Sequence, residues 1–238
     1  MSRARKALKR ILEVLGELRP MYPEKRAQRR LRRDVERTLQ RAYRSVCDMS
    51  MEEVQAMFSR PLDDGAFQSL QGYPEFLDLR DRRMEAVSTG LHLLPARISA
   101  VRDVVTRGYD LIGKNTYAAR DNPRNRLIFH TYEQFNGVCV GISTNDVEVC
   151  RRVIALDLEP LEPWVAFPEL AETAFGMLMG NIEYWWNEYW DPFWESISPE
   201  GREAYLSRAN KPWRSRIEAD ESMRELYRKR ENGDKSKI

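Results

Sequence analysis

Two histidines and three cysteines are the scarcest reactive side chains of this 238-residue chain, and their spacing limits the chemistry open to it. His130 and Glu133 are three apart, so on a helix they would share a face like half of a carboxylate-bridged metal site. Such a centre needs more carboxylates and a second Glu-x-x-His pair. Here the order is His-x-x-Glu and no companion pair exists, so no metal ligand is assigned. His92 and His130 read instead as satisfied or solvent-facing side chains. Cys47, Cys139 and Cys150 are odd in number and lack Cys-x-x-Cys spacing, which argues against a disulfide framework and a zinc site and for small buried hydrophobes.

Nucleophile elbow, phosphate-binding glycine loop, dinucleotide fingerprint and His-Glu-x-x-His are all missing from the sequence. Acid pairs such as Glu183/Glu188 and Glu169/Glu172 occur, but 37 carboxylates make solvated pairs commonplace. A pair does acid-base work only where a pocket drives its two pKa values apart. No catalytic residue and no cofactor are assigned, and catalysis is not expected.

The remaining candidate chemistry is charge. Residues 1–44 hold fifteen Lys or Arg against five acids, a net of +10, while the whole chain carries only +2. A basic arm therefore precedes an acidic body, and segregation of this kind suggests either steered association with an acidic partner or docking of one half on the other. Arg26, Arg29, Arg30, Arg32, Arg33, Arg37 and Arg41 are the candidate contact residues. They suit an acidic protein surface or, as the alternative, nucleic-acid phosphates, although no recognition-helix, RNA-binding or zinc-finger signature accompanies them. The basic stretch from Arg3 to Leu18 could also rest on an anionic membrane, a role not favoured here.

The elements that must position these groups read as helices. Ala4, Leu8, Ile11, Leu15 and Leu18 form one stripe and Ala27, Leu31, Val35, Leu39, Ala42 and Val46 another, with Pro20 and Pro23 between them. Residues 1–47 are thus expected to form an antiparallel helical hairpin arm, and 48–238 an acidic helical body with a sub-boundary near 120–125. Ser50 and Glu53 make a capping box that opens a short helix. Apolar spacing predicts helices over 75–94 and 96–118, the second weakened by Gly108 and Gly113. For 126–143 a helix is favoured over a β-hairpin through Asn136-Gly137, because nothing nearby is read as a strand that a lone hairpin could join.

Pro168 to Ile197 is the expected centre of the body. On a helical wheel Ala174, Phe175, Leu178, Ile182, Trp185, Trp186, Tyr189 and Trp190 fall within an arc of roughly 160°. Pro192 is expected to end that helix. Burying Trp185, Trp186, Trp190 and Trp194 is worth about 6–12 kcal/mol, which favours a core. Trp190 and Trp194, next to Asp191-Pro192, are the ones that would serve as partner anchors if left exposed.

Composition (42% hydrophobic, 32% charged) and the lack of an apolar leader point to a cytoplasmic globular protein. The expectation is a mainly α, bundle-like fold working without catalysis by binding another protein, in the class of inhibitors, immunity proteins, adaptors and assembly factors.

Overall fold

A computed structural model of the chain describes residues 37–168 and 180–234, with side chains as far as 222. Its centre is a six-stranded antiparallel sheet in the order β1-β2-β6-β5-β4-β3. The mainly α bundle expected from periodicity is therefore wrong. The strands are β1 Leu77–Asp78, β2 Val87–Leu93, β3 Tyr109–Gly113, β4 Thr116–Ala119, β5 Arg126–Gln134 and β6 Gly137–Thr144.

Helical spacing misled for a physical reason. Central strands are covered on both faces and read as apolar runs, which match a helix template as easily as a strand. In β6, Val138, Cys139, Val140 and Ile142 are all buried. β-branched residues and a neighbour on each side, not periodicity, make that run a strand. The supposedly isolated hairpin does have companions: they are the segments 87–93 and 109–119 that had looked helical.

Turn chemistry was partly visible. β5 and β6 are joined through Phe135 and Asn136, both at positive φ (52° and 55°), as a two-residue type I′ hairpin requires. Asn-Gly marks the hairpin, but Gly137 already belongs to β6. Gly108, at φ +81°, turns the chain from the helix Ile98–Val105 into β3. The helix read over 96–118 is thus cut short at 105. The segment 120–125 joins β4 to β5, adjacent strands with Thr116 opposite Ile128 and Ala118 opposite Arg126.

The helices, numbered in order, are α1 (37–47), α2 Met51–Met57, α3 Asp64–Gln68, α4 Ile98–Val105, α5 Val147–Ile154, α6 Pro163–Ala166, α7 Asn181–Trp185, α8 Asp191–Ser196, α9 Pro199–Leu206 and α10 Lys211–Asp234. The remainder of the expected N-terminal hairpin lies outside the described residues. The capping box of α2 forms as expected: Ser50 Oγ accepts from Glu53 N at 3.2 Å, and Ser50 N donates to Glu53 Oε2 at 2.6 Å. Asp146 caps α5, although the Asn145–Glu148 spacing in the sequence marks Asn145 for that role. Asn145 instead clamps the start of β5, accepting from Arg126 N at 2.7 Å and donating to Arg124 O at 3.0 Å.

Pro192 does not end the tryptophan helix. A π-helical turn over Trp186–Trp190 carries α7 into α8, with Asp191 N bonding to Trp186 O. The wider turn moves the carbonyl that the pyrrolidine ring would strike in an α-helix, and the missing N–H then costs no α-helical bond.

The fold divides into two compact units. The first comprises the described residues up to Gly90 with Ser99–Thr131 and Val140–Asp157. Its core includes Cys47, Val54, Phe58, Leu79, Met84, Ala86 and Ile128. The second comprises Leu91–Ile98, Tyr132–Cys139 and the chain from Leu158 onward. Its interior is dominated by rings. Trp190 stacks on Trp194 at 5.2 Å and 18°, and meets Tyr205 edge-on at 5.0 Å.

Candidate functional site: an aromatic face built over a locked histidine

His92 sits on β2 in the second unit and is fully buried. An indole N–H can only donate, so Trp185 Nε1, 2.8 Å from His92 Nδ1, identifies that ring nitrogen as an acceptor. The proton is then on Nε2, which donates to Gln134 O at 3.0 Å. Burial lowers the pKa of His92, partly opposed by the bond to the Gln134 carbonyl. Protonation would set two N–H groups against one another at Nδ1. This histidine is held neutral in one tautomer and ties α7 to the sheet. Gly137 makes room for it, since a Cβ there would stand 2.6 Å from His92 Nε2.

Above this base lies an aromatic surface. Phe135, at the positive-φ turn, packs 5.5 Å from Phe167 and 6.4 Å from Tyr184. Tyr184 is 46% exposed and Tyr132 42% exposed. Their phenols converge on buried Tyr189: Tyr132 Oη lies 3.4 Å from Tyr189 Oη, and the rings of Tyr184 and Tyr189 are 6.2 Å apart. Burial raises the pKa of all three tyrosines, so they are neutral at physiological pH. Cys139 lies among them, and burial keeps it a thiol. The arrangement can donate and accept hydrogen bonds and offer ring area through neutral phenols, with the Glu188 carboxyl beside Tyr184.

Positive φ on a bulky, non-glycine residue is strained and is often kept where it serves a site. At Phe135 the strain is held by packing against Phe167 and by the next residue, Asn136, whose Nδ2 donates to Ala166 O at 3.1 Å. Sequence reasoning missed Tyr132, Phe135 and Tyr184. The signal available was the absence of Tyr184 from the apolar arc of its own helix.

Arg37 and Arg41 lie exposed on α1, while Arg26, Arg29, Arg30, Arg32 and Arg33 are outside the described residues. Trp190 and Trp194 are 1% and 4% exposed, so neither stands out from the surface. Arg202 covers Trp194, its Cζ 5.2 Å from the ring centre, while its Nε donates to Trp194 O at 3.0 Å. The supposed His130/Glu133 face does not exist. Both lie on β5, where residues three apart point to opposite sides, and His130 instead packs over Gly141 of β6. All three cysteines are buried and free, with thiol pKa values raised by burial. Glu183 and Glu188 are exposed.

Among the described residues no group of three His, Cys, Asp or Glu side chains could hold a metal ion, and no helix is long and apolar enough to cross a membrane. Comparison with protein-family models, curated proteins and solved structures found no match for the chain.

Proposed function

We propose that this is a non-catalytic protein that binds another protein, in the class of inhibitors, immunity proteins, adaptors and assembly factors. The partner meets the aromatic face of Tyr132, Phe135 and Tyr184, with the N-terminal arginines steering the encounter. The observation that carries this reading is the pair of half-exposed tyrosines held on a buried aromatic base beside a strained phenylalanine. Tyrosine in such a setting offers large contact area at small entropic cost, and it recurs among residues that dominate interface energies. Rings fixed by packing below lose little further freedom on binding.

Affinity capture of the full chain after nuclease digestion tests the proposal. One protein should be retained in stoichiometric amount by the wild type and lost from Tyr132→Ala/Tyr184→Ala, with affinity reduced at least about tenfold. Retention by the double variant, or recovery of nucleic acid alone, defeats it. In the second case the alternative of phosphate contact through the arginines takes over, with binding that falls linearly on a log–log salt plot.

A further inference from the structure

Residues 153–201 hold ten Asp or Glu and no Lys, Arg or His, a net of −10. The segment 132–139, which brings Tyr132 and Phe135 to the aromatic face, adds Glu133 and again no basic side chain of Lys, Arg or His type. The segments that build this face therefore bring carboxylates to it and no cation.

At two places in the second unit an arginine from further along the chain answers a ring and a carboxylate together. Arg208 lies over Tyr205, its Cζ 4.4 Å from the ring centre, and its Nη2 donates to Glu159 Oε2 at 2.8 Å. Arg202 lies over Trp194 at 5.2 Å and pairs with Glu221. Tyr184 and Glu188 make a third such pair. Tyr184 is 46% exposed, and Glu188, four residues on and exposed, stands close enough to raise the pKa of the Tyr184 phenol. Here the arginine is missing. Among the described residues the Glu188 carboxylate joins no ion pair and accepts no hydrogen bond, and desolvation raises its pKa with no cation to lower it. Tyr132, 42% exposed, adds a phenol oxygen beside Tyr189, which in turn meets the Tyr184 ring.

We propose that Tyr184, Glu188 and Tyr132 receive one arginine side chain presented by the protein partner, its guanidinium lying on the Tyr184 ring and donating to the Glu188 carboxylate. A planar guanidinium stacks on a ring and forks onto a carboxylate at once, as Arg208 does between Tyr205 and Glu159. A lysine ammonium is a compact, strongly hydrated point charge and does neither as well. The inference rests on the reading of this face as a partner surface and names the chemistry that the partner brings to it.

Fluorescence anisotropy of labelled tetra-arginine amide with the full chain at low salt tests it. The peptide should bind the wild type and bind Glu188→Gln and Tyr184→Leu at least about tenfold more weakly. Glu200→Gln removes the same charge from the same acidic stretch and should change affinity by less than about twofold. Labelled tetra-lysine amide should bind the wild type about threefold more weakly or worse, a comparison that needs no variant. No binding of tetra-arginine by the wild type, equal losses in Glu188→Gln and Glu200→Gln, or equal affinity for the two peptides overturns the proposal. Affinity capture with Glu188→Gln separates this inference from the reading beneath it. A protein lost from Tyr132→Ala/Tyr184→Ala but retained at wild-type affinity by Glu188→Gln leaves the partner reading standing and overturns the arginine. Glu188-dependent peptide binding with no protein captured supports the arginine site and defeats the partner reading.

Discussion

The two units solve the problem of a stable interior with different materials. Aliphatic and sulfur side chains make up most of the core cluster of the first, around Val54, Leu79, Met84 and Ile128, with Phe58 among them, and the polar groups buried in that unit are the small hydroxyls of Thr89, Thr116 and Thr144. The second is filled by rings and has a polar bond at its heart, from Trp185 to His92. An aliphatic cluster tolerates a change of shape, whereas an aromatic cluster with a buried hydrogen bond admits one arrangement and exacts a larger penalty when a ring or polar partner is lost. The binding face proposed for Tyr132 and Tyr184 would be held in fixed positions by the second kind of base.

Ring deletion should separate the two most clearly. Trp190→Ala is expected to cost about 3–5 kcal/mol, against about 0.5–1.5 for Ile128→Val in the first unit. Urea denaturation of both variants measures the difference, and equal losses would erase the contrast. Trp185→Phe keeps most of the ring area but leaves His92 Nδ1 without its donor, at about 1–3 kcal/mol. If the variant matches wild-type stability, the bond does not tie the helix to the sheet.

Acid should act on the second unit through the same histidine. The folded pKa of His92 lies below its unfolded value of about 6.5. Its contribution is therefore intact above that value and declines as pH falls below it, because the unfolded chain takes up the proton first. His130 is shifted the same way by burial, so denaturation midpoints between pH 7.5 and 5.5 should be compared in the wild type, His92→Gln and His130→Gln. A slope that neither substitution reduces would remove both histidines from the account.

Smaller effects belong to the edges. Ser50→Ala should cost about 1 kcal/mol through loss of the cap. Tyr184→Ser should change stability by about 0.5 kcal/mol or less while weakening partner binding, and a large stability loss would recast Tyr184 as a structural ring.

Local signals were legible where their cause was local. The cap at Ser50 and the Asn-Gly turn mark rest on neighbouring residues and have their counterparts in the fold, although the hairpin was set aside for a helix and Gly108 was read only as a weak point in one. The core character of Trp185 and Trp186 was likewise visible in a continuous apolar arc, whereas Trp190 and Trp194, named as anchors for a partner, are buried with them. What misled was period. Val87–Leu93 and Tyr109–Ala119 looked helical because the strands that confirm them are distant: β2 finds β6 some 50 residues later. Pro192 misled too, since a π turn cannot be read from the residue it accommodates.

By itself the sequence determined charge segregation, the Ser50 cap and the core character of Trp185 and Trp186. Only the tertiary structure decided that the apolar runs pair as strands, that His92 accepts a hydrogen bond from an indole 93 residues away, and that Tyr132, Phe135 and Tyr184 share one surface. Caps and turns are settled within a few residues by backbone sterics and local hydrogen bonds. Strand pairing and the meeting of side chains from separate elements depend on contacts that exist only once the chain has closed upon itself.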